Sequence, residues 1–225
     1  MSYREIAKTL IRYGAALAKE RLGAEKKYCI RGGYVHGRDY NYFDDTPFKD
    51  EYQKEVYVRA LEIASQSKLR TIYDVGCGSG YKLLKYFGEY ETIGFDVSNT
   101  VAHLRKEYPN RKWVDASIDA KDYVAADMVI CSDVIEHVVD PDKLIKSLIE
   151  MSNKWLVIST PDRLREYPLL SSYRLGPPHT NVHIREWTFS EFRQYIEHFV
   201  DVHEHFHSNP DHATQMIVAT IRSRR

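Results

Sequence analysis

Between residues 71 and 159 the chain alternates short apolar runs with amphipathic stretches. The runs are Thr71-Ile72-Tyr73-Asp74-Val75, Thr92-Ile93-Gly94-Phe95, Lys112-Trp113-Val114, Asp127-Met128-Val129-Ile130-Cys131 and Trp155-Leu156-Val157-Ile158-Ser159. Most are continuously apolar rather than alternating, which predicts strands covered on both faces. Between them, helical spacing runs over Tyr81 to Phe87, Asn99 to Glu107 and Pro141 to Met151. The last stretch opens on Asp140 as N-cap with Pro141 in the first turn, and its apolar face is Leu144, Ile145, Leu148 and Ile149. Strands alternating with helices predict an α/β fold: a doubly wound, seven-stranded, mostly parallel sheet with helices on both faces.

The flanks complete the count. Ile6, Leu10, Tyr13 and Leu17 form one stripe of a helix ending near Gly23, and a second helix is predicted over Phe48 to Ser65. Residues 26–46 read as an irregular, tyrosine-rich segment. Residues 1–47 are therefore assigned to an N-terminal helix and lid segment, and residues 48–225 to the main domain. A long polar connection follows the fifth strand, from Pro161 to Trp187. Thr188 and Glu191 then make a capping box for a helix whose buried face is Phe192, Tyr195, Ile196 and Phe199. Two last strands, near Val200 to Phe206 and Gln215 to Ile221, predict an antiparallel hairpin at the sheet edge. In the first of these, His203, His205 and His207 share one face. A solvent-facing edge strand is preferred there over a metal grip.

Composition narrows the setting. The 225 residues suit one domain, and 32 basic residues balance 32 acidic ones. A neutral chain has no general attraction to nucleic acid or anionic membrane. The basic tail Ile221-Arg222-Ser223-Arg224-Arg225 reads as a solvated end. No run approaches the ~20 apolar residues of a membrane helix, and the opening residues lack signal-peptide form. Cys29, Cys77 and Cys131 make neither a disulfide framework nor a zinc pair, which points to the cytoplasm.

The strongest motif is Asp74-Val75-Gly76-Cys77-Gly78-Ser79-Gly80, leaving a strand and entering a helix. Glycines there allow a tight turn and close approach of a ligand to the backbone. The helix start supplies N–H groups and a positive dipole end for an anionic group. About 20 residues on, the second strand ends in Phe95-Asp96-Val97, where an acid can accept ribose hydroxyls. Asp115 and Ala116 follow the third strand, and Ser132 and Asp133 end the fourth. This order of glycines and acids over residues 50 to 160 resembles the class I S-adenosylmethionine-dependent methyltransferases. The resemblance implies a Rossmann-like domain with the last strand antiparallel. It implies S-adenosylmethionine as cofactor, held by Asp74, Gly76, Cys77, Gly78, Gly80, Asp96, Val97, Asp115, Ala116 and Ser132. Asp96 would take the ribose, and Asp115 or Ala116 would meet adenine.

Methyl transfer also needs the acceptor aligned and often deprotonated. Asp133, Glu136 and His137 share one face of a helical turn. They could grip a divalent cation, His137 could serve as a base, or the turn could be structural. His183-Ile184-Arg185-Glu186-Trp187-Thr188 adds a second histidine. Paired with the EH turn, it resembles the metal-dependent small-RNA 2′-O-methyltransferases. That likeness implies Asp133, Glu136, His137 and His183 as ligands of Mg, Mn, Fe or Zn, with aspartate at Asp133 where that family usually has glutamate. The EHV turn also resembles ubiquinone-pathway O-methyltransferases. The segments around QKEVY, STPDR and HIREWT look like bacterial methyltransferases of glycan and natural-product pathways. The leading expectation is O-methylation of a small-molecule, sugar or glycan hydroxyl, with His137, His183 and Asp133 as catalytic candidates. An RNA-modifying 2′-O-methyltransferase and an inactive cofactor-binding protein are the alternatives. The oligomeric state is left open.

Overall fold

The computed structural model describes residues 52–116, 123–166, 178, 182–209 and 212–222, together with positions 7, 8, 10–12 and 14. The strands are β1 (Thr71–Val75), β2 (Glu91–Asp96), β3 (Lys112–Asp115), β4 (Ala126–Ser132), β5 (Ser152–Pro161), β6 (Asp201–Asn209) and β7 (Thr214–Thr220). The helices are α1 (Lys54–Gln66), α2 (Tyr81–Phe87), α3 (Ser98–Glu107), α4 (Pro141–Glu150), the short α5 (Arg163–Glu166) and α6 (Phe189–Glu197). One sheet holds all seven strands in the order β3-β2-β1-β4-β5-β7-β6. The first five strands are mutually parallel where they pair, and β7 runs antiparallel between β5 and β6.

Strand alternation sorts the core into two layers. Leu156 and Ile158 of β5 face α4 and α6, where they meet Ile145, Leu148, Phe192 and Ile196. Val157 faces the other side, with Val56 and Ala60 of α1, Leu83 and Phe87 of α2, and Leu104 of α3. After β1 the chain winds outward through β2 and β3, then returns to place β4 on the opposite side of β1. That reversal opens a crevice at the carboxyl ends of β1 and β4, where ligands of doubly wound sheets collect.

The capping predictions hold in detail. Asp140 accepts from Lys143 N, and the Thr188–Glu191 box is complete. Three expectations change. Helix α1 begins at Lys54 rather than near Phe48, because Gln53 lies in the left-handed region with φ 63°. The connection after β5 contains α5. On β6, His205 and His207 pack against Phe189 of α6, at ring separations of 3.6 and 4.6 Å, instead of facing solvent. Each of the three histidines there has its own partner: Thr220 for His203, Gln215 for His205 and Asp162 for His207. The described positions between 7 and 14 are helical, with Leu10 and Ile11 exposed, and Arg12 pairs with Glu166. The rest of the expected lid, including 26–46, lies outside the described residues.

Candidate active site

The glycine loop after β1 is built for a reversal that side chains resist. Gly76, Gly78 and Gly80 have φ of 81°, 53° and 70°. Gly76 N and Cys77 N both donate to Phe95 O, at 2.8 and 3.2 Å, which ties the loop to the end of β2. A Cβ on Gly76 would lie 2.2 Å from Val134 Cγ2, so the loop and the turn after β4 are in intimate contact.

Asp96 closes this loop from below. Gly78 N donates to its Oδ2 and Val97 N to its Oδ1, both at 2.8 Å. Burial pushes its carboxyl up, and the two amides with the Thr100 hydroxyl pull it down less strongly. With these three donors engaged, the carboxylate keeps capacity for one further donor, such as a sugar hydroxyl. Beside it, Val97 exposes an apolar side chain, 40% accessible, fit to cover a flat base. A cavity of about 530 Å³ opens next to Ala116, walled by Val75, Phe95, Val138 and Leu144. Asp115 accepts from the Ser98 hydroxyl. Three other sequence candidates face inward. Asp74 is fully buried and accepts from Tyr57 Oη at 2.9 Å. The Cys77 thiol packs among the core of the α1–α3 layer, which leaves its backbone for any ligand. The Ser132 hydroxyl shares a hydrogen bond of 2.8 Å with Ser159 Oγ.

Past β4 the backbone turns sharply. Asp133 takes φ 54°, an uncommon conformation for a residue with a side chain, and a 3₁₀ turn follows over Ile135–His137. Asp133 Oδ1 accepts from Ser159 Oγ at 2.7 Å, and Oδ2 from Gln53 Nε2 at 3.2 Å. Glu136 is 1% exposed and accepts from Thr160 Oγ1 at 3.0 Å. Burial, reinforced by the Asp133 charge, pushes its carboxyl up to about 8.

The segment from 182 docks on this turn. Ile184 N donates to Glu136 O at 2.8 Å, and His137 Nδ1 meets Val182 O at 2.7 Å. A carbonyl can only accept, so Nδ1 carries the hydrogen and Nε2 holds the lone pair. Burial and the neighbouring His183 hold His137 down to about 4, so its ring is neutral at pH 7. His183 Nδ1 lies 2.6 Å from the buried Glu186 carboxylate. For His183, burial opposes the charged form, but Glu186, Glu136 and Asp133 outweigh it and raise its pKa. The two imidazoles meet edge-on, 4.9 Å apart.

Glu136, His137 and His183 each offer a ligand atom, and these atoms lie within 4.8 Å of one another. Two imidazole nitrogens and a carboxylate suit a borderline divalent cation. Asp133 lies alongside, its carboxylate engaged by Ser159 and Gln53. Sequence reasoning missed the supporting residues Gln53, Ser159, Thr160 and Glu186. Only Glu186 left a signal, in its spacing of three from His183.

Known proteins bear on this geometry. A family model described as a methyltransferase domain matches residues 48–208. The ubiquinone biosynthesis O-methyltransferase of Thiobacillus denitrificans is 32% identical over 114 residues, which cover 45% of this chain and 49% of that protein. The chain thus matches about half the length of that curated relative. Among solved structures, magnesium protoporphyrin IX methyltransferase from Synechocystis with bound SAH aligns with a TM-score of 0.60 at 16% identity, over 84% of this chain and 91% of that one. The methyltransferase domain of bacterial CtHen1 aligns at 0.56 and 20% identity, over 75% and 99%. These likenesses to solved structures match the fold. The chain belongs to the methyltransferase domain family, whose model spans the glycine loop, Asp96 and the turn that carries Glu136 and His137.

Proposed function

We propose that this methyltransferase transfers its methyl group to a hydroxyl oxygen of a small molecule, a sugar or polyol hydroxyl with a second oxygen beside it, aided by a divalent cation. The observation that carries the reading is the convergence of Glu136, His137 and His183 at the carboxyl end of β4, in contact with the glycine loop through Val134. The half-length similarity to O-methyltransferases supports oxygen as the methylated atom.

In this reading the loop of Gly76, Gly78 and Gly80 takes the methionine end of the cofactor and Asp96 its ribose. Val97, Asp115 and Ala116 border adenine, beside the cavity at Ala116. Glu136, His137 and His183 would hold the cation, with Asp133 at its flank. When bound, the cation acts as a Lewis acid that eases deprotonation of the acceptor hydroxyl. The chain's own groups do the remainder. His137 and His183 present nitrogen lone pairs at a fixed angle, and Glu136 gives up its proton as the site fills.

Turnover of S-adenosylmethionine with a panel of vicinal diols, with chelator and then with Mn²⁺ restored, tests the proposal. Chelation should cost several kcal/mol of transition-state stabilisation, about a hundredfold or more in rate, and added metal should return it. His183→Ala should be equally impaired. Rates indifferent to chelator and retained in His183→Ala would end the cation reading. Affinity for the methyl donor without turnover on any acceptor would mark a pure binder. Salt-sensitive binding to small RNA would favour the RNA reading instead.

A further inference from the structure

Both imidazoles at the site are held through Nδ1, but by different acceptors. His137 is held by a backbone carbonyl, which is neutral and fixed by the fold. His183 is held by the carboxylate of Glu186, whose side chain is fully buried. Main-chain hydrogen bonds also anchor the segment that carries these residues. Ile184 N anchors it to Glu136 O, Arg163 N donates to Trp187 O at 3.0 Å, and Trp187 forms a bridge with Asp162. Burying a carboxylate is costly unless it is hydrogen-bonded to a partner that can share its charge. At 2.6 Å, His183 Nδ1–H is such a partner.

We propose that Glu186 is a positioning residue: it fixes His183 with hydrogen on Nδ1 and the lone pair on Nε2, and so presents that nitrogen to Glu136 and His137. This rests on the reading that His183 serves the cation. A ring free to turn about its last torsion would place carbon or the wrong nitrogen in the cluster about as readily. A carboxylate behind an imidazole also makes the outward nitrogen a stronger donor to a metal. The site then has two unequal histidines: a backbone carbonyl holds His137, and a replaceable carboxylate sets the donor strength of His183.

The test uses the full chain and Mn²⁺ as probe, with affinity read by calorimetry and the His183 tautomer by nitrogen-15 NMR. Glu186→Gln should bind Mn²⁺ about ten- to a hundredfold more weakly. It should show His183 as a mixture of tautomers while the circular dichroism spectrum is retained. Glu186→Asp, which keeps the charge on a shorter arm, should recover part of the affinity. Wild-type-like affinity and a single Nδ1–H tautomer in Glu186→Gln would overturn the proposal. If Glu186→Gln does not fold, the wild-type spectrum decides. A hydrogen on Nδ1, protected from exchange, supports the proposal, and one on Nε2 alone refutes it. If the wild-type chain takes up no Mn²⁺, the cation reading fails separately, and the tautomer spectrum still judges Glu186.

Discussion

Replacing Gly76 by alanine would drive a methyl group into the turn that carries Glu136 and His137. The perturbation has two separable parts. The backbone at Gly76 has φ 81°, where a side chain costs about 1–2 kcal/mol. The new Cβ would lie 2.2 Å from Val134 Cγ2 and 3.4 Å from Val134 Cβ, well inside ordinary carbon contact, and relieving such overpacking costs about 1–3 kcal/mol. The sum is about 2–5 kcal/mol of stability. Val134→Ala removes the offending Cγ2 and, being half-buried, should by itself cost about 1 kcal/mol. In the double variant the clash disappears while the φ cost stays. The two substitutions should therefore be non-additive, with a favourable coupling of at least about 1 kcal/mol. Urea unfolding of the four proteins, analysed at constant slope, measures this cycle directly. A single-variant cost below about 1 kcal/mol, or costs that simply add, would refute the argument that loop and turn are in steric register. The same cycle read by calorimetry with SAH would show whether relief of the clash also restores cofactor affinity.

Asp96→Ala removes the acceptor that both supports Gly78 and, as proposed, holds the ribose; it should weaken SAH binding by at least about tenfold in calorimetry, and unchanged affinity would refute that role. The Asp127 carboxyl is raised by burial but lowered more by the amides of Arg70 and Thr71, so its folded pKa lies below its unfolded value. Its contribution is then complete above about pH 4 and lost as pH falls through the lower folded pKa. Asp127→Asn should flatten the acid limb of the stability curve, and an unaltered limb would remove Asp127 from its causes.

The sheet was largely legible because its central strands β1, β4, β5 and β7 are buried on both faces along most of their length, so apolar runs such as Met128 to Cys131 announce themselves without needing a partner. The helix starts at Asp140 and Thr188 were legible because capping is local chemistry. What escaped depends on contacts distant in sequence. Strand β5 extends to Pro161 because Pro161 pairs with Thr214 of β7, and nothing in its own pattern says so. The histidines of β6 alternate as exposed residues would, yet Phe189, a dozen or more residues away, covers two of them. At the site, the spacing of Asp133, Glu136 and His137 suggested one face of a helical turn. The left-handed backbone at Asp133 instead starts a 3₁₀ turn, in which Glu136 and His137 converge with His183 while Asp133 turns to Ser159 and Gln53. A single-residue departure from helical geometry is not visible in residue spacing.

The place of β7 bears on how the chain is made. It forms the seam between β5 and β6, antiparallel to both, so neither can gain that neighbour until synthesis has passed Thr214. For all of the elongation between Pro161 and Thr214 the nascent chain carries an unsealed border beside Leu156, Val157 and Ile158, a ready template for another strand. Ribosome-bound intermediates stalled in that interval should be the species that chaperones hold and that aggregate in their absence.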